Sequence, residues 1–120
     1  MDALAAAADD DFCYLTTCGR VTGAPHKIEI WFALEGSRLY MLAGAGRRSD
    51  WVRNLDAQPA VTIRIRDVTQ RATARVVTDA GEDRLARTLL FEKYEPRNPG
   101  LASWRESALP VAFDIAYDGS

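Results

Sequence analysis

Short runs in which two residue classes alternate, each closed by a turn signal, are the feature that most restricts what this chain can fold into. From Phe12 to Thr17, residues Phe12, Tyr14 and Thr16 alternate with Cys13, Leu15 and Thr17, and aromatic and β-branched types dominate. That run predicts a strand. Gly19 to Pro25 reads as a turn, and His26 to Leu34 then alternates again. Ile28, Ile30 and Phe32 fall on one face, predicted to be core, while Lys27, Glu29 and Trp31 fall on the other. Glu35-Gly36-Ser37 is a hairpin signal before a third strand, Arg38 to Ala43.

The pattern changes at Gly44-Ala45-Gly46-Arg47-Arg48, where Ser49 is placed to cap a short helix over Asp50 to about Ala57. Helical spacing sets Trp51, Asn54 and Leu55 on one side of it. After Gln58-Pro59, Val61, Ile63 and Ile65 alternate with Thr62, Arg64 and Arg66, and a second run passes through Arg71, Thr73 and Arg75 to Val77. Thr78 or Asp79 is expected to cap a longer helix, Glu82 to Tyr94, with Leu85, Thr88, Leu89 and Glu92 on its packing stripe. Pro96 and Pro99 end it; a loop or short helix through Trp104 and a last strand, Pro110 to Ala116, complete the pattern.

About six short strands on hairpin-length links, with two to three helices, predict a mainly β antiparallel barrel in the order βββαββαβ. A parallel sheet would need a crossover helix between most strands. Residues 1–11 read as an alanine-rich tail or short helix, and 12–120 as a single domain.

Composition excludes several function classes. A formal charge of −2 gives no general attraction to nucleic acid or anionic membrane, and Arg64, Arg66, Arg71 and Arg75 lack the interleaved aromatics of a nucleic-acid face, so a solvated sheet face is expected there. No apolar run approaches the roughly 20 residues of a membrane span, and the acidic start is unlike a signal peptide, so the expectation is a cytoplasmic protein. Cys13 and Cys18 are read as reduced thiols, with no histidine–carboxylate set that would make either a nucleophile. A single histidine leaves no metal cluster in view.

Two segments carry a resemblance. Leu15-Thr16-Thr17-Cys18-Gly19-Arg20-Val21-Thr22-Gly23-Ala24-Pro25-His26 and Trp51-Val52-Arg53-Asn54-Leu55-Asp56-Ala57-Gln58-Pro59-Ala60-Val61 resemble, in order and near-family spacing, two signatures of the deazaflavin-dependent nitroreductases. Ser103-Trp104 and Leu109-Pro110-Val111 fit that family's tail. The resemblance spans about Phe12 to Ala116; Val21 and His26 stand where the family often has lysine and arginine. It implies a split β-barrel of the FMN-binding, pyridoxamine-phosphate-oxidase-like type. It also implies coenzyme F420, a deazaflavin, whose reduced form would pass a hydride to a small organic electron acceptor such as a nitroaromatic, quinone or enone.

Such a cofactor needs anion donors at one end and a snug apolar wall at the other. Gly44, Gly46, Arg47, Arg48 and Ser49 supply glycines, paired cations and a helix N-terminus suited to phosphate, or else form a solvated loop. Arg20, His26 and Lys27 add positive charge for the phosphate or the acidic glutamyl tail. Trp51 walls the ring or is core; Asn54 bonds a ring carbonyl or the backbone, or caps. The residues equally admit an FMN-dependent oxidoreductase on this fold, or a non-enzymatic binder of cofactor, haem or fatty acid. A homodimer is expected, with Trp31 or the last strand at the interface.

Overall fold

The computed structural model describes residues 5–116. A 3-10 turn at Ala5–Ala7 precedes β1 (Cys13–Cys18), β2 (Pro25–Ile30), β3 (Ala33–Glu35) and β4 (Arg38–Ala43). A second 3-10 turn, Gly46–Arg48, leads into α1 (Asp50–Ala57), followed by β5 (Ala60–Ile65), β6 (Val68–Val76), α2 (Ala80–Tyr94), α3 (Ala102–Ser107) and β7 (Leu109–Ala116). The strands form one antiparallel sheet in the order β2-β1-β5-β6-β7-β4-β3. Its two edge strands, β2 and β3, are consecutive in sequence, joined only by Trp31 and Phe32. A two-residue link can connect opposite edges only if the sheet curls back on itself, so the antiparallel sheet is a half-barrel left split at that seam.

The expected strand from His26 to Leu34 is therefore two, and the described strands number seven rather than about six. The cause lies 62 residues away. Phe32 donates its backbone N–H to the Tyr94 hydroxyl at 3.0 Å, and its carbonyl accepts from Lys93 Nζ at 2.9 Å, so both groups leave the ladder for α2. The Tyr94 proton is free to serve the Asp11 carbonyl, 2.8 Å away.

Two apolar layers result. Leu15, Met41, Ile63 and Phe113 point into the barrel with Val52 and Leu55 of α1, whereas Tyr40, Leu42 and Ala112 turn outward under α2 and α3. With both faces of β4 and β7 covered, the burial alternation seen along β1 disappears there. Helix α2 buries Ala86, Leu90 and Tyr94, not the expected stripe: Leu89 is only partly covered and Leu85 is exposed. Delivering Tyr94 and Lys93 to Phe32 rotates the helix by about one position. Asp79 caps it, its carboxylate accepting from the Glu82 N–H at 2.8 Å.

On the expected solvated arginine face Arg66 and Arg71 are exposed, while Arg64 and Arg75 are half-buried by their partners. Arg75 spans Glu82 (2.7 Å) and Asp114 (3.2 Å), Arg66 pairs with Asp10, and Arg64 lies 4.4 Å from the Tyr14 ring centroid. Hydrogen bonds from Arg75 hold the Glu82 carboxyl down at about 2, against its partial burial, with Tyr40 and Arg38 assisting.

Candidate functional site

The Gly-Arg turn after β1 packs against the start of α1, and the sequence explains why it can. A Cβ on Gly19 would stand 2.7 Å from His26 Nε2 and 2.9 Å from the Ala24 carbonyl, so only glycine lets the turn close on the first residues of β2. The Gly19 N–H donates to the Ala24 carbonyl at 2.8 Å, and Gly23, at φ +77°, returns its N–H to the Gly19 carbonyl at 2.8 Å.

This tight turn projects Arg20 onto Asn54, the one buried side-chain amide of α1. Asn54 Oδ1 accepts from Arg20 Nη1 at 2.8 Å and from the Arg20 backbone N–H at 3.2 Å, while Nδ2 donates to Thr17 Oγ1 at 3.1 Å. Arg20 Nη2 also pairs with Asp50 at 3.3 Å. The guanidinium is thus fixed across the mouth of a cleft of about 260 Å³, walled by Gly19, Val21, Thr22, His26 and Asp50. Its Nε–H and one Nη2–H have no partner among the described residues.

The helix behind it is open at the same end. Ser49 occupies the N-cap position, but its hydroxyl makes no bond to the first turn, in contrast to Asp79 on α2. First-turn N–H groups of an α-helix have no intrahelical partner, so those of α1 remain donors at the positive end of its dipole.

The structure therefore joins Arg20, His26 and Asn54 in one cleft, with Gly46, Arg47, Arg48 and Ser49 leading directly into its helical wall. Arg47 turns to Asp56 at 3.4 Å, and Arg48 is exposed. Lys27 is not brought in: it extends over the outer sheet face, 5.8 Å from the Tyr14 ring centroid. Trp51 is half-buried against the barrel core.

A second cleft, about 400 Å³, was not read from the sequence as a unit. Ile30, Trp31 and Leu42 meet Leu101 and Trp104 there, with Phe12 and Glu29 at its sides. Trp31, on the face opposite the predicted core and expected at a dimer interface, stacks on Tyr94 with centroids 4.2 Å apart and planes at 4°, and meets Trp104 edge-on at 5.6 Å. Gly44 borders the same aromatics, since a Cβ there would lie 3.9 Å from Trp104 Cδ1. Two of the cleft's walls carried a legible signal, Trp31 on the strand face opposite the core and Trp104 in the Ser103-Trp104 pair. Thr17, inside the Leu15–His26 segment, and Asp50, at the start of the expected helix, complete the Arg20 support, a role that neither position signals in the sequence.

The remaining titratable chemistry is elsewhere. Burial pushes the Cys13 thiol up to about 12, which makes it a core group and not a nucleophile. Among the described residues there is no group of side chains able to hold a metal ion, and no helix is long and apolar enough to cross a membrane.

The donor set fits a phosphate-bearing flavin-like molecule. It offers a pre-positioned guanidinium, a histidine and an uncapped helix end for an anion, and, separately, aromatic walls for a flat ring. Comparisons with known proteins bear on the fold and the family. The chain resembles an F420-H2-dependent reductase, FDR-A, with 21% identity, a TM-score of 0.71, and coverage of 89% of this chain and 95% of that one. A domain-swapped dimer matches at 23% identity and TM-score 0.71, over 90% of this chain and 81% of that one. A Listeria innocua protein assigned as a pyridoxamine 5′-phosphate oxidase matches at 14% identity and TM-score 0.70, over 95% and 90%. At these identities the likeness is one of fold, the split barrel of pyridoxamine-phosphate-oxidase-like proteins. The family model described as F420H(2)-dependent quinone reductase matches residues 6–114, nearly the full chain, and the protein belongs to that family.

Proposed function

We propose that this chain is an F420H2-dependent oxidoreductase that reduces flat organic acceptors such as quinones, nitroaromatics or enones. The observation that carries the reading is the Arg20 guanidinium, fixed by Asn54 and Asp50 beside the uncapped start of α1. A cation locked in place before its ligand arrives loses little entropy on binding an anion, which is what a phosphate anchor requires.

In this reading Arg20, His26 and the first-turn N–H groups of α1 hold the phosphate. Arg48 screens it from the exposed 3-10 turn. Asn54 acts through Arg20 as a positioning residue; its amide is committed to Thr17 and Arg20 and not to a ring carbonyl. Gly44 borders Trp104, and Trp31 and Trp104 present the apolar surface against which acceptor and ring are stacked and water is excluded. When bound, the reduced deazaflavin supplies the hydride, and with a proton from solvent a quinone leaves as its hydroquinone. The protein's work is orientation and desolvation, which agrees with an apolar cleft that contains no acid–base pair.

Titrating the protein with F420H2, then adding menadione and following the deazaflavin absorbance, tests this. Binding followed by menadione-dependent oxidation supports it; tight binding without turnover supports a cofactor-binding protein instead; preference for FMN in the same titration assigns the site to a flavin. A homodimer is consistent with the free edges β2 and β3 and with a domain-swapped relative on this fold. Sedimentation of the protein at micromolar concentration decides it.

A further inference from the structure

Among the described residues the apolar cleft is lined by a single charge. Phe12, Ile30, Trp31, Leu42 and Trp104 are neutral, and the exception among its described walls is Glu29 on edge strand β2. That carboxylate is exposed but tethered. Its Oε2 accepts a hydrogen bond from the Tyr14 hydroxyl at 2.7 Å, and Tyr14 is paired across the sheet with Glu29 on one side and Arg64 on the other. Arg64 covers the Tyr14 ring at 4.4 Å and Lys27 approaches it at 5.8 Å, so both nearby cations face the phenol ring and neither lines the cleft. A row of three side chains on adjacent strands thus holds one negative charge at the cleft wall.

We propose that Glu29 sets the charge preference of the acceptor, so that uncharged or cationic flat molecules enter the Trp31–Trp104 cleft and anionic molecules of similar shape are disfavoured. This rests on the reading that the acceptor occupies that cleft. Apolar walls give shape selection but cannot distinguish two flat rings that differ by a peripheral sulfonate; an anchored carboxylate can. Across a partly solvated distance of about 6–8 Å, one like charge weakens binding by roughly three- to tenfold at low ionic strength, and less in salt. Tyr14 serves as the positioning residue, since without its hydroxyl the carboxylate is free to swing into solvent.

The experiment compares a neutral and an anionic flat quinone, menadione and 9,10-anthraquinone-2-sulfonate, whose sulfonate is not displaced by amines or thiols, binding to the cofactor-free protein by quenching of tryptophan fluorescence. The same pair is then used as acceptors for KM and kcat. Shape differences between the two quinones cancel when each variant is compared with the wild type. Glu29→Gln is expected to tighten sulfonate binding about three- to tenfold at low ionic strength and leave menadione within twofold, with the change in KM and not in kcat. Tyr14→Phe should give part of that gain, and Asp67→Asn, a charge change on the exposed β5–β6 turn, none. An unchanged preference in Glu29→Gln while both quinones still bind overturns the proposal and leaves the cleft reading intact. Absence of quenching by either quinone overturns both.

Discussion

Replacing Asn54 by alanine removes three hydrogen bonds at once, in a place where water cannot easily substitute. Asn54 and Thr17 are 3% and 2% exposed, and the Arg20 guanidinium is the charged partner. A hydrogen bond to a charged group contributes about 1.5–3 kcal/mol and a neutral one about 1, and part of the Arg20 loss is recovered by solvent. A net cost of about 2–4 kcal/mol is the result. For 120 residues the unfolding entropy is about 0.25 kcal/mol/K, so the melting midpoint should fall by roughly 8–16 °C. Asn54→Asp separates stability from binding: it keeps acceptors for both Arg20 N–H groups and lets the Thr17 hydroxyl donate, but places a negative charge behind the anion cleft. Its midpoint should fall less than that of Asn54→Ala, while its affinity for F420 falls about tenfold or more. Thermal unfolding by circular dichroism and F420 fluorescence titration read the two effects separately. Should Asn54→Ala melt within 2 °C of the wild type and bind F420 unchanged, Asn54 does not hold the Gly-Arg turn and the positioning argument is wrong.

Gly19→Ala drives a methyl into His26 and the Ala24 carbonyl at under 3 Å, so the turn must shift; a loss of about 1–3 kcal/mol and of F420 binding is expected, measured by urea unfolding and titration. Tyr94→Phe leaves the Phe32 N–H without its acceptor and should cost about 1–3 kcal/mol, with faster hydrogen exchange at Phe32. Glu82, held at about 2 in the fold against 4.5 when free, adds stability that is complete above pH 5 and drains away as pH falls toward 2. Glu82→Gln should therefore be less stable than the wild type at pH 7 and show a shallower loss between pH 5 and 2, and parallel acid-unfolding curves would count against the Arg75–Glu82 bond.

What the sequence showed depended on the range of the cause. The β5–β6 hairpin was legible because Val61, Ile63 and Ile65 alternate locally and burial follows that alternation. The break at Trp31–Phe32 was not, because no residue nearby breaks the pattern; Tyr94 and Lys93 reach it from α2. The same reach rotated the buried face of α2 away from Leu85. At the site, Arg20, His26, Ser49 and Asn54 were all singled out, yet the bond between Arg20 and Asn54 spans 34 residues and appears only in three dimensions. Of the alternatives open for Asn54, ring carbonyl, backbone or cap, the fold shows a backbone contact, with the Arg20 side chain added. The aromatic cleft gathers Phe12, Trp31, Leu42 and Trp104 from segments that share no motif, so only the fold reveals it.

A crystal structure with F420 bound measures the central claim directly. The phosphate is expected within hydrogen-bonding distance of the Arg20 guanidinium and the first N–H groups of α1, with the ring directed toward Trp31 and Trp104. A phosphate on the outer sheet face near Lys27 and Tyr14, with Arg20 still turned only to Asn54 and Asp50, would contradict it.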